Sequence, residues 1–261
     1  MPSIIAKIFV AVLAAGVANA LPQPQQSVAA STAAAPAPPA PTANPNAALI
    51  AQLKDAPTAV DRFNTLLRGP DGRLLAGDAL RQRVVFDFND NPTKSAGGAV
   101  KAANINTFPI LTGLDIATTV AFLGPCGINT PHTHPRATEF LTVVAGEVET
   151  GFVLENGFIS EIPATLKQFQ GTVFPMGSIH YQVNNNCQPA TFVATLNSED
   201  PGTSQIAQNF FALNSAVVNA TLGFPATLDG KDIDKFRASL PANLALGVDK
   251  CLAKCGIKKS T

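Results

Sequence analysis

From residue 83 to about residue 197 the chain alternates apolar and polar positions with a period of two, in short runs separated by turn residues. The runs predict strands over 84–88, 102–108, 115–123, 138–144, 147–154, 157–162, 171–174, 178–184 and 190–197. Gly124-Pro125, Ala145-Gly146, Asn156-Gly157, Met176-Gly177 and Gln188-Pro189 punctuate them, and Asn156-Gly157 is a hairpin signal. Many short strands with regular turns imply a β-sandwich or barrel. The period is helical on either side. Residues 48–56 read as a short helix, and Thr58 with Asp61 resembles a capping box before Val60, Phe63 and Leu67. After Glu199, Ile206 and Phe210 lie four apart, and a second apolar stretch starts at Ser215. Residues 232–240 place Ile233, Phe236 and Leu240 on one face, and Val248 with Leu252 suggest a last helix.

Composition changes the picture mostly at the N-terminus. Lys7, an apolar run over 8–17 and Ala18-Asn19-Ala20 follow the order of a secretory signal peptide over residues 1–20. The run is too short for the ~20 residues a bilayer core requires. Residues 21–48 are Pro, Ala, Gln and Ser without charge, a composition that builds no core and reads as an extended spacer. The organisation expected is therefore signal peptide 1–20, spacer 21–48, helical arm 49–82, β-barrel 83–215 and helical tail 216–261. Formal net charge is zero and no block of like charge occurs, which argues against nucleic acid or a membrane surface as partner. Four cysteines in a secreted chain read as two disulfides, with three pairings open. Cys126 and Cys187 each flank a histidine segment, so we expect them to pair, leaving Cys251 with Cys255 on adjacent helical turns. Asn219-Ala220-Thr221 is an N-glycosylation sequon.

The chemistry concentrates in two segments. The chain has three histidines: His132 and His134 in GINTPHTHPRATEFLTVVAG, and His180 in FPMGSIHYQVN. Alternate strand residues share a face, so His132 and His134 point the same way. Glu139 lies an odd step further on; Pro135 breaks the strand, and Glu139 opens a new one on the side of Leu141 and Val143, facing inward. His180 shares a face with Gln182 and Asn184. Three imidazoles and one carboxylate make a nitrogen and oxygen metal site with open positions, compatible by donor type with Mn, Fe, Ni, Cu or Zn. A cysteine-rich zinc site is disfavoured, since no C-x-x-C pair exists.

These residues resemble the two motifs of the cupin superfamily, and within it the germin-like proteins and spherulins. H-x-H, four residues, glutamate, six residues and glycine are met from His132 to Gly146. Cys126 stands where a leading glycine is usual, with Gly127 beside it. Pro175, Gly177, His180 and Asn184 meet the second motif, whose leading glycine, Gly171, sits two residues closer to the proline than usual. The resemblance spans about residues 83–215. It implies a mainly β fold, a double-stranded β-helix or jelly-roll barrel holding manganese on His132, His134, Glu139 and His180. It also implies a secreted homo-oligomer, and the Pro/Ala-rich start resembles fungal and slime-mould members. Two activities are implied, superoxide dismutation and oxalate oxidation. For oxalate, Asn129 matches one substrate-contacting asparagine, and an ungapped count puts Thr119 where a second is expected. The rival expectation is a structural or storage protein of spore coat or cell wall, in which the metal serves stability.

Overall fold

The computed structural model describes residues 44–158, 160–223 and 243–258, with Asp232, Lys235, Phe236 and residues 239–241 between. The expected signal peptide, most of the spacer and most of the helix expected over 232–240 lie outside the described residues. Helices α1 (Ala47–Asp55), α2 (Ala59–Leu67) and α3 (Gly77–Val84) come first. Thr58 caps α2, accepting the Asp61 N–H at 3.2 Å, and α1 buries Ile50 and Leu53.

Twelve strands follow: β1 (Thr93–Ser95), β2 (Gly98–Ala103), β3 (Ala117–Leu123), β4 (Gly127–Thr133), β5 (Glu139–Ala145), β6 (Glu147–Val153), β7 (Ile162–Lys167), β8 (Gly171–Phe174), β9 (Ile179–Val183), β10 (Ala190–Leu196), β11 (Ser204–Gln205) and β12 (Ala245–Leu246). They form two antiparallel sheets, ordered β1-β2-β3-β10-β5-β8 and β11-β4-β9-β6-β7, with β12 also on β4. This is a jelly roll, with α1 to α3 before it and helices α4 (Ile206–Phe211), α5 (Ser215–Thr221) and α6 (Asp249–Cys255) following β11 and β12. Alternation fills the space between the sheets: Leu141 and Val143 of β5 and Phe192 and Ala194 of β10 are buried while their neighbours point out. Complete burial of a side chain such as Leu141 stabilises the fold by about 2 kcal/mol.

Four local expectations are corrected. Val84 ends α3 rather than opening a strand, and residues 85–92 are irregular. The β-prone run has no partner strand there; Phe86 packs instead on Phe88 and Phe108, with Lys101 over its ring. The strand expected over 102–108 stops at Ala103, because the Asn104 side chain accepts the N–H groups of Asn106 and Thr107 and turns the chain. The Asn156-Gly157 turn does lie in a hairpin, between β6 and β7, but the second strand starts only at Ile162. Pro163 is tolerated in it because β7 is an edge strand.

The fourth correction concerns the disulfides, which join Cys126 to Cys251 and Cys187 to Cys255. Helix α6 (Asp249–Cys255) presents both its cysteines to one side, a turn apart. That side faces the barrel, where Cys126 precedes β4 and Cys187 follows β9, two paired strands. Each helical cysteine therefore meets a barrel cysteine. The tail is drawn in further by β12, which pairs Ala245 with Ile128 and Leu246 with Gly127. Backbone crosses backbone there with no room for side chains: a Cβ on Gly97 would overlap the Ala245 carbonyl oxygen, and one on Gly127 the Gly97 oxygen.

Candidate metal centre

His132 and His180 face each other across the β4–β9 pairing. A one-residue bulge between Asn129 and His132 makes this possible. Asn129 opposes Gln182 and His132 opposes His180; three residues on β4 match two on β9, so Asn129 and His132 share the inner face. A regular strand would have sent one of them out. His134 follows the end of β4. Glu139 opens β5 beside Phe174 of β8, and its neighbours Leu141 and Val143 are buried on the same face, as expected.

The four side chains converge. One ligand atom from each lies within 4.8 Å of the others, and their relative exposures are 3, 8, 2 and 1% for His132, His134, Glu139 and His180. Each imidazole is oriented the same way. Nδ1 of His132, His134 and His180 lies 2.8, 2.6 and 3.0 Å from the carbonyl oxygens of Thr130, Gly202 and Ser178. A carbonyl only accepts, so every Nδ1 must carry a proton, and every Nε2, the atom left to ligate a metal, turns to the centre. The Phe174 ring stacks on His180 at 4.3 Å and 13°, fixing its plane.

Electrostatics follow from burial and from the one carboxylate. Burial, helped by neighbouring His180, pushes His132 down to about 3, so it stays neutral. Burial also pulls His134 down, but the hydrogen bond and charge of Glu139 outweigh it and raise His134 above its ordinary value. Burial by itself would raise Glu139; the bonds to His134 and His180 prevail and bring it to about 2. Glu139 Oε2 lies 2.9 Å from His134 Nε2 and 3.4 Å from His180 Nε2. Acceptors at that distance need a positive charge between them, either a proton on His134 or a metal ion. Three lone pairs and one carboxylate around a point suit a cation of the Mn to Zn series.

One side of the cluster is open. A cavity of about 370 Å³ touches His132, His134 and Glu139 and is walled by Val100, Ala102, Ala121, Phe192, Ala194 and Leu196, with Thr119, Asn129, Thr203, Gln205 and Asn243 as polar members. Asn129 and Thr119 thus border the same space. Asn129 Nδ2 donates to Gln182 Oε1 at 2.6 Å. Arg136 does not enter: its guanidinium pairs with Asp200 at 3.1 Å, and Nε donates to the Asp200 carbonyl. Gln205 and Asn243 escaped the sequence reading, since neither lies in a histidine motif and no periodicity marks them. The sequon asparagine, Asn219, lies in helix α5 (Ser215–Thr221), with its side-chain oxygen buried.

Residues 87–232 match the family model for Cupin. Among curated proteins, Spherulin-1A of Physarum polycephalum is 39% identical over 211 residues, covering 80% of this chain and 79% of that one. Germin-like protein subfamily 2 member 2 of Arabidopsis thaliana is 36% identical over 144 residues, 55% of this chain and 65% of its own. Among solved structures, a recombinant oxalate oxidase in complex with glycolate aligns with a TM-score of 0.52 at 24% identity, over 57% of this chain and 75% of that one, a likeness of fold.

Proposed function

Because this chain belongs to the cupin family, among the spherulins and germin-like proteins, we propose that His132, His134, Glu139 and His180 hold one manganese ion for redox chemistry on superoxide or a small acid such as oxalate. The observation that carries the reading is the common orientation of the three imidazoles: each Nδ1–H is committed to a backbone carbonyl, so all three Nε2 lone pairs meet Glu139 at one point.

A manganese ion bound there would supply a Lewis acid able to change oxidation state. The protein's own part is positional. The carbonyls of Thr130, Gly202 and Ser178 hold the rings and raise their basicity as ligands. Glu139 supplies the single negative charge, leaving net positive charge to attract an anion. Much of the cavity wall is apolar, and Asn129 borders the same space, offering an amide to a small acid. Iron, zinc, nickel and copper remain compatible with the donors; manganese is what the germin resemblance implies.

The apolar leader and the two disulfides support secretion to the extracellular space or cell wall. Exposed Phe140 and Val173, paired on adjacent strands of one outer face, support a homo-oligomer. The extent of the spherulin similarity favours one alternative, a spore-coat or wall protein in which the metal serves stability.

The test is metal analysis of the purified secreted protein, with superoxide and oxalate consumption measured beside Glu139→Ala. We expect about one metal per chain in the parent, little in the variant, and turnover in at least one assay. Full metal with no turnover supports the structural alternative. Metal retained after replacement of both His132 and His180 would remove the site.

A further inference from the structure

One wall of the cavity comes from outside the two histidine motifs. Gln205 of β11 and Asn243, just before β12, both border it. The orientation of Asn243 is settled by chemistry. Its Oδ1 accepts the Leu244 N–H at 2.8 Å, and a backbone N–H can only donate, so oxygen and nitrogen cannot be exchanged. Nδ2, with two N–H donors, is the group left for the cavity. Gln205 lies on the same wall, its side-chain amide in contact with the Thr130 hydroxyl at 2.8 Å.

Asn243 is also held firmly. The next residue, Leu244, has left-handed backbone (φ +58) and is 1% exposed within the barrel core. Its carbonyl accepts the Gly97 N–H and the Ser95 hydroxyl, both at 2.6 Å. Pairing of β12 with β4 and the Cys126–Cys251 bridge secure the segment on its other side. Among the described residues no lysine or arginine lines the cavity, and the one carboxylate, Glu139, belongs to the ligand cluster. A bound molecule therefore meets the metal's charge at one end and, on the wall of Gln205 and Asn243, side-chain amides. That polarity suits an acceptor-rich, donor-poor ligand with oxygens at both ends.

We infer that Asn243 is a specificity-determining residue of this site, donating through Nδ2 to the distal oxygen of a small carboxylate, with Gln205 as a second donor on the same wall. The inference rests on the metal reading proposed above.

The manganese-loaded full chain is titrated with oxalate, which carries oxygens at both ends, and with azide, a small anion able to bind at the metal alone, both read by the Mn(II) EPR spectrum. Asn243→Asp keeps an oxygen for the Leu244 N–H and turns the donor into a charged acceptor. We expect parent-like melting and metal content, with oxalate binding weakened about 100-fold and azide binding weakened far less, by the added charge alone. Gln205→Leu leaves Asn243 undisturbed and gives an independent reading, about tenfold weaker for oxalate alone. Oxalate affinity within twofold of the parent in either variant would overturn that residue's role, and a parallel fall in azide affinity would overturn selectivity for the carboxylate. A parent chain that binds neither manganese nor azide refutes the metal reading, and this inference with it.

Discussion

Removal of the Cys126–Cys251 bridge tests the link between tail and metal site. The bridge joins residues 125 apart. With Cys187–Cys255 intact, the loop it closes is shorter: 61 residues from Cys126 to Cys187 plus 4 from Cys255 back to Cys251. In the chain-entropy model a loop of about 65 residues corresponds to about 4 kcal/mol at 25 °C. Domains of this size have stabilities of only about 5–15 kcal/mol, so the loss is large. It corresponds to a fall in Tm of about 10 °C. The assay is thermal unfolding of the Cys126→Ser/Cys251→Ser variant by circular dichroism under non-reducing conditions, with peptide mapping of the parent's disulfides. A variant within about 1 kcal/mol of the parent would refute the entropic reasoning. Peptides joining Cys126 to Cys187, or Cys251 to Cys255, would refute the pairing.

Three further outcomes follow from the same geometry. Tyr181 is the single tyrosine and there is no tryptophan, so absorbance at alkaline pH reports it alone. Burial, then its hydrogen bond to Glu161, raises it to about 12; its contribution to stability is complete below about 10 and lost as pH rises towards 12, and a folded-state midpoint near 10 would contradict this. His134 is raised above 6.5 in the metal-free protein, mainly by Glu139 acting against burial. Its stabilising contribution is present below pH 6.5 and lost as pH rises through the raised value, and metal must displace its proton. Calorimetric titrations with manganese in buffers of different ionisation heat should show proton release at pH 6.5 that fades as pH rises, with affinity rising in step; no release at pH 6.5 would count against it. Gly127→Ala drives a Cβ into the Gly97 carbonyl oxygen, a backbone atom, and should cost about 2–3 kcal/mol in denaturant unfolding; a parent-like midpoint would show that the backbone crossing gives way.

Much of the His132, His134 and Glu139 arrangement was legible because its spacing is local. His132 and His134 share a face by strand period, Pro135 ends the strand, and Glu139 restarts it with Leu141 and Val143 inside. The jelly roll was legible for a similar reason, since alternation in β5, β6, β9 and β10 marks one buried face per strand. Local pattern misled where local preference competed with an absent or unexpected partner. Val84 to Phe88 has strand composition but no neighbouring strand among the described residues, and the strand expected over 157–162 starts only at Ile162.

By itself, then, the sequence determined the donor set, the side each donor takes on its own element, and the class of fold. Three things were decided only by tertiary structure: the bulge that turns Asn129 inward with His132, the exchange of disulfide partners, and the arrival of Asn243 at the cavity from the tail. The physical reason is shared. Period and turn chemistry act over a few residues and set the face a side chain takes. Which faces meet across 50 to 125 residues depends on how two sheets and a tail share one core, and no local preference encodes that.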